Sequence, residues 1–252
     1  MTERRTLRDE VWLVFGLSLG ASAVRALVSF IGSVTSGRSL TSQVALLNGT
    51  RAPGRPWLDL ALQLVVLALG VVPVFLVAHF LNRSGERLAT IGVDPSEPRR
   101  DGLRGTALAA VVGGAGLGLY LIVHASGANL TVVPENLPAV WWRIPVLLLS
   151  ALQNATLEEV IVAGYLLHRL KQFGWSDGRA LGLSALIRGS YHLYQGVGGF
   201  AGNAIMGLIF GRLYQRWGRV MPLLIAHTLM DSVAFVGYAE LAGHVGWLPT
   251  PK

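Results

Sequence analysis

Glu158 and Glu159 stand side by side in the apolar stretch Ala151–Leu167. A carboxylate at the centre of a bilayer costs about 2.5–3.5 kcal/mol on insertion scales, so an adjacent pair there needs a use. Two later apolar segments carry His192, in Arg188-Gly-Ser-Tyr-His192, and the pair His227 and Asp231, in His227-Thr-Leu-Met-Asp231. Of the fourteen acidic residues, Glu158, Glu159 and Asp231 alone sit well inside predicted spans; the others fall in loops, in tails or, like Asp59, at a segment end. Carboxylates and imidazoles take and give protons near neutral pH, and a desolvated glutamate is a suitable general base. The chemistry these residue types point to is proton transfer in one buried polar site shared by three helices.

Helix geometry limits how the groups meet. His227 and Asp231, four residues apart, share a face one turn apart. Glu158 and Glu159 differ by about 100° around the axis, so one faces a reaction centre while the other braces the helix. At about 1.5 Å per residue from the basic helix ends, Glu158, His192 and His227 lie roughly 12–20 Å deep. That common depth predicts one cavity, opening toward the cytoplasmic side. His79, His124, His168 and His244 fall at segment ends or in loops and read as interfacial. Tyr191, Tyr194, Trp141, Trp142, Trp175 and Trp217 read as interface anchors, while Gln195 and Asn203 are candidate supporting groups.

The elements that must position these groups are membrane helices. The 252 residues are 52% hydrophobic and 14% charged, with a mean hydropathy of +0.51, against about 25% charged in soluble chains. Apolar segments run at about 11–34, 57–81, 103–125, 138–167, 180–194, 198–214 and 220–238. The expectation is an all-α, polytopic transmembrane bundle of about seven helices, within a range of six to eight. The first apolar run is too long for a cleaved signal. Arginine and lysine gather before the first segment and after the second, fourth and sixth, which places the N-terminus in the cytoplasm and the C-terminus outside. Only Arg38, Arg51 and Arg55 dissent. The net charge of +7 is then positive-inside charge, and no nucleic-acid partner is expected. With no cysteine, disulfides, thiolate ligands and cysteine nucleophiles are excluded. Glycines 113, 114, 116 and 118, and again 198, 202, 207 and 211, read as close helix packing.

The three polar motifs, in this order, about 34 residues apart and each in an apolar segment, resemble those of the CAAX-protease and bacteriocin-processing family of intramembrane endopeptidases (CPBP, or Abi). That family carries Glu-Glu-x-x-x-Arg, then Phe-x-x-x-His, then His-x-x-x-Asn/Asp, each on its own helix. Here the motifs read Glu158-Glu159-Val-Ile-Val-Ala163, Arg188-Gly-Ser-Tyr-His192 and His227-Thr-Leu-Met-Asp231, and the resemblance covers about Leu130 to Tyr238. It implies peptide hydrolysis by a water bound and activated by Glu158 and His192, with His227 and Asp231 orienting it or stabilising the oxyanion. The resemblance thus makes Glu158, Glu159, His192, His227 and Asp231 catalytic and Arg188 supporting. Two positions depart from the pattern: Ala163 replaces the motif arginine, and Arg188 replaces the phenylalanine. A guanidinium at 188 is placed to pair with Glu159 from the neighbouring helix in the missing arginine's stead.

No cofactor is expected. The alternative is zinc held by Glu158, His192, His227 and Asp231, although none of the local spacings is His-Glu-x-x-His. The Arg83–Gly105 loop, with Pro95 and Pro98, divides N-terminal transmembrane helices at residues 1–104 from the motif-bearing core at 105–252. The leading reading is a glutamate-type intramembrane endopeptidase of a bacterial plasma membrane, acting on a peptide or protein at the lipid bilayer. Two alternatives stand beside it: a non-catalytic immunity or scaffold protein of the same fold, and a proton-coupled transporter. No internal repeat or matched pair of interrupted helices favours the transporter. Substrate identity and oligomeric state are left open.

Overall fold

A computed structural model describes residues 2–127, 129–246 and 248. Each of the seven apolar segments is helical. The first is a bent pair, α1 (Thr2–Gly16) and α2 (Leu19–Thr35), turning by 46° at the break. There the Ser18 hydroxyl donates back to the Val14 carbonyl, a bond that bends helices. The second is α3 (Pro56–Gly70) running into α4 (Val72–Arg83); Pro73, lacking an N–H, interrupts the ladder at the junction. Then come α5 (Pro98–Ala125), α6 (Arg143–Glu158), α8 (Asp177–Tyr191), α9 (Val197–Trp217) and α10 (Met221–Leu241). Helix α6 continues without a break through a π-helical stretch, Glu159–Leu166, into α7 (Leu167–Gln172).

Four of these helical runs, Pro56–Arg83, Pro98–Val123, Arg143–Gln172 and Met221–Leu241, are long and apolar enough to cross a membrane, and the bent first pair makes a fifth if counted as one span. Helices α8 and α9 do not reach that length and apolarity: α8, with 15 residues, covers about 22 Å of a hydrocarbon layer about 30 Å thick. The bundle is therefore the expected membrane-helix architecture, with its two site-proximal helices short or polar. Those two pack with almost no side chain between them. A Cβ on Gly189 would sit 2.8 Å from the Phe200 carbonyl oxygen, and one on Gly207 would sit 3.0 Å from the Ala185 Cα.

The loops at the two ends differ. At the end that holds the sheet, a parallel pair forms between β1 (Val44–Asn48) and β2 (Thr131–Glu135), in register Val44↔Thr131 to Asn48↔Glu135. No strand was expected from sequence. At the other end further ion pairs tie the loops down. Arg219 Nη2 reaches Asp101 at 2.7 Å and Asp94 at 3.3 Å, and Arg169 Nη1 reaches Glu86 at 2.7 Å. The loop after α4 is docked there: the Ile91 and Gly92 carbonyls accept from the Val220 and Met221 amides, each at 3.2 Å. Helix α5 runs unbroken across positions 104 and 105.

The main core lies around the π-helical stretch. All eight of its residues are buried, and Val160, Ile161, Val162 and Tyr165 pack with Leu81, Ile91, Phe210, Leu223 and Ala226. A π-helical stretch inside an α-helix is rare and often marks functional positions. This one begins at Glu159.

Candidate active site

Glu158 closes α6 and Glu159 opens the π-helical stretch, so the two adjacent carboxylates sit where the helix changes its winding. Glu158 has 8% of its surface exposed and Glu159 none. Arg188, on the last turn of α8, is 1% exposed and lies between them. Its Nη1 donates to Glu159 Oε2 at 3.2 Å and its Nη2 to Glu158 Oε2 at 3.2 Å; Nη2 also donates to Glu159 Oε1. The cross-helix pairing expected of Arg188 is the one that forms, and it extends to both glutamates. The stem of Arg188 holds its guanidinium over the Phe210 ring, 5.3 Å from the centroid, a favourable face for a cation.

His227 comes from α10, whose first turn holds Pro222. Its Nδ1 is 2.8 Å from Glu159 Oε1 and 3.2 Å from Arg188 Nη2. One nitrogen cannot both donate to the first and accept from the second. The carboxylate is the stronger partner, so Nδ1–H donates to Glu159 and the guanidinium contact is packing. Nε2 then points away from Glu159, 3.7 Å from Asp231 Oδ1 one turn on. Asn154, one turn before Glu158 on α6, lies near the Asp231 carboxyl.

His192 ends α8, just before a short 3₁₀ turn, Leu193–Gln195. Its Nε2 lies 3.5 Å from Glu158 Oε2 and, though buried, has no hydrogen-bond partner among the described residues. Its Nδ1 faces the Gln195 amide nitrogen at 3.4 Å, which makes Nδ1 the acceptor and puts the ring proton on Nε2, toward Glu158. The turn is fixed by Gly196, whose φ of +107° suits only glycine. Asn129 bridges to it and caps α9 by accepting from the Gly199 amide at 3.3 Å.

All five acid and base residues singled out in the sequence, with Arg188, therefore form one connected cluster. Two readings from sequence are corrected. Tyr191 is no interface anchor: it is 5% exposed and donates to Glu158 Oε2 at 2.9 Å. Trp142, 2% exposed, is likewise core, whereas Trp141 at 72% is on the surface. Gln195 supports the site through His192, and Asn203 does not, since its amide donates to the Gly199 carbonyl. His168 sits away from the cluster, 2.6 Å from Glu86; the His124 side chain lies outside those described. The recess that reaches the cluster's Tyr191 is bounded by β1, on the sheet side and not at the basic end where an opening was expected.

The two glutamates are used differently. Both oxygens of Glu159 are taken, by Arg188 and His227. On Glu158 the Arg188, Tyr191 and His192 contacts all go to Oε2, so Oε1 has no protein partner among the described residues. Two carboxylates share one guanidinium, and Asp231 stands apart beside His227. The guanidinium occupies the space between the glutamates, His227 turns Nδ1 to Glu159, and no three His, Asp or Glu side chains among the described residues converge as ligands.

No curated protein and no solved structure matches the chain significantly. Residues 140–233 match the family described as type II CAAX prenyl endopeptidase, Rce1-like, and this stretch contains the whole cluster. The part of the chain that carries the site is thus similar to the Rce1-like CAAX prenyl endopeptidases.

Proposed function

We propose that this chain is an intramembrane endopeptidase in which Glu158 is the general base and His192 helps hold the attacking water. The observation that carries this is the asymmetry of the two glutamates: Glu159 is saturated by Arg188 and His227, while Glu158 keeps Oε1 open. In this reading Glu158 Oε1 takes a proton from water, and His192 Nε2–H steadies the oxygen as it attacks the peptide carbonyl carbon. The oxyanion accepts from Nε2–H of a protonated His227, whose charge Asp231 balances at 3.7 Å. Glu158 then gives its proton to the leaving nitrogen as the C–N bond breaks. Glu159 and Arg188 take no proton; they hold α6, α8 and α10 in register. The substrate is a peptide or protein at a bacterial plasma membrane, in which the basic loops face the cytoplasm and the C-terminus lies outside.

The test is hydrolysis of a quenched peptide library by purified protein. Glu158→Gln keeps the shape of the site and is expected to lower kcat/KM at least a hundredfold, within the usual reach of general-base catalysis. Full activity in that variant refutes the assignment. A second reading, a non-catalytic scaffold, draws on Arg188 touching Glu158 as well as Glu159. An inactive parent and an active Arg188→Phe/Ala163→Arg double variant favours it.

A further inference from the structure

A recess of about 350 Å³ runs between α2 and the sheet. Helix α2 turns Ser22, Arg25, Ser29 and Ser33 toward it, a spacing of three, four and four that makes one face about 16 Å long. The other exposed residues of α2, such as Val24, Leu27, Val28 and Ile31, are apolar and suit lipid. Arg25 has no ion pair or hydrogen bond among the described residues, and an unpaired guanidinium inside an apolar helix is expensive. It calls for an anion.

The recess is lined besides by Val44, Ala45 and Leu46 of β1 and by Leu130, just before β2. Side chains alternate along a strand, so three consecutive residues bordering one recess present the strand's edge. Among the described residues β1 pairs only with β2, which leaves the N–H and C=O groups of its other edge available to pair with another strand. The recess also meets Tyr191, whose hydroxyl donates to Glu158.

We propose that this recess is a binding subsite for an extended, carboxylate-bearing peptide, which adds a strand to β1 and sets its carboxylate on Arg25. It rests on the peptidase reading of the adjoining cluster. A face about 16 Å long takes about five residues at roughly 3.3 Å each. Main-chain bonds to the β1 edge give affinity independent of sequence, and Arg25 adds the selection for charge. A lipid phosphate is the weaker fit, since Arg25 lies about 15 Å along α2 from its Thr35 end and lipid has no amides for the strand. Both α2 and β1 lie outside the segment matched to the family, so this selectivity belongs to the N-terminal part of this chain.

The test uses full-length Glu158→Gln protein in detergent micelles, titrated with dansyl-labelled apolar hexapeptides. One is uncharged with a C-terminal amide, one has an internal Glu and an amide end, and one has a free C-terminal carboxylate. A carboxylate is expected to tighten binding at least tenfold, and whichever of the two charged peptides gains identifies its source. Adding Arg25→Met removes the gain while Arg25→Lys keeps most of it, and N-methylating alternate amides weakens binding severalfold. Equal binding of all three peptides overturns the proposal. So does a gain that survives Arg25→Met, or Arg25-dependent binding of dodecyl phosphate with no preference among peptides. If the pattern holds but the parent cleaves nothing, the peptidase reading fails and the subsite stands; cleavage without charge preference removes the subsite alone.

Discussion

Arg188→Met leaves the Glu159 carboxylate buried, with His227 as its one remaining donor. Glu159 has no exposed surface and Arg188 has 1%, so water cannot replace the guanidinium. Removing one partner of such a pair costs about 3–5 kcal/mol. Glu159→Gln is milder, about 1–3 kcal/mol, because Arg188 keeps Glu158 at 3.2 Å. The double variant has no stranded carboxylate at 159, and Met still covers Phe210. Its expected loss is therefore close to that of the milder single change, giving a coupling energy of roughly 2 kcal/mol or more, within the range for residues in contact. Unfolding in mixed micelles with rising SDS fraction, followed by the fluorescence of the seven tryptophans, measures all four corners of the cycle. Adding Ala163→Arg to Arg188→Met places a guanidinium four residues after Glu159 and is expected to recover half the loss or more. Additivity within about 0.5 kcal/mol refutes the pairing as an energetic unit.

Tyr191→Phe removes the hydroxyl that donates to Glu158 at 2.9 Å; kcat is expected to fall about tenfold to a hundredfold with KM little changed, because a bond to a charged group is worth about 1.5–3 kcal/mol. An unchanged kcat contradicts the placement of Tyr191 at the reacting carboxylate. Gly196→Ala forces φ of +107° on an L residue and drives its Cβ to 2.4 Å from Asn129 Oδ1. It is expected to destabilise by about 1–3 kcal/mol and to reduce activity by moving His192; a wild-type melting temperature speaks against it. Glu86 lies outside the spans, and burial pushes its carboxyl up. The His168 hydrogen bond and the charges of His168 and Arg169 outweigh that, and hold it below its ordinary value of 4.5. Its contribution to stability is thus complete above about pH 4.5 and is lost as pH falls through the lower folded-state value. Glu86→Gln should flatten the acid limb of the stability curve, and an acid limb identical to the parent's counts against the ion pair.

The helices and the cluster were readable because both follow from burial. Runs of apolar residues have no stable place except a membrane, and Glu158, Glu159 and Asp231 stand out against them. The pairing of Arg188 with Glu159 was readable from two misplaced residues, a missing arginine at 163 and an extra one at 188. Tyr191 was misread because tyrosine is common at membrane interfaces, and its position one residue before His192 looked like a segment end. Asn154 had a signal that went unused: it precedes Glu158 by one helical turn and is polar in an apolar run. Asp59 stands at a segment end in the sequence, yet it is fully buried and accepts from the Arg51 amide at 2.9 Å. That role depends on a loop folding back on its own helix. The sheet and the π-helical winding were invisible, since a five-residue strand in a loop and an added residue per turn leave no periodic trace.

The parallel sheet also sets a schedule. Asn48 and Pro134, joined by a hydrogen bond of 3.0 Å, are 86 residues apart in the chain. At synthesis rates of about 5–20 residues per second, β2 emerges roughly 4–17 s after β1. During that interval β1 has α3, α4 and α5 still to be inserted between itself and its partner. The strand must wait unpaired until α5 has been made. The polar cluster, whose residues come later still, is completed only after that wall is in place. A nascent chain stalled before Thr131 therefore holds a peptide-pairing edge and no hydrolytic groups, so the order of synthesis by itself keeps cleavage chemistry from preceding the structure that admits a substrate to it.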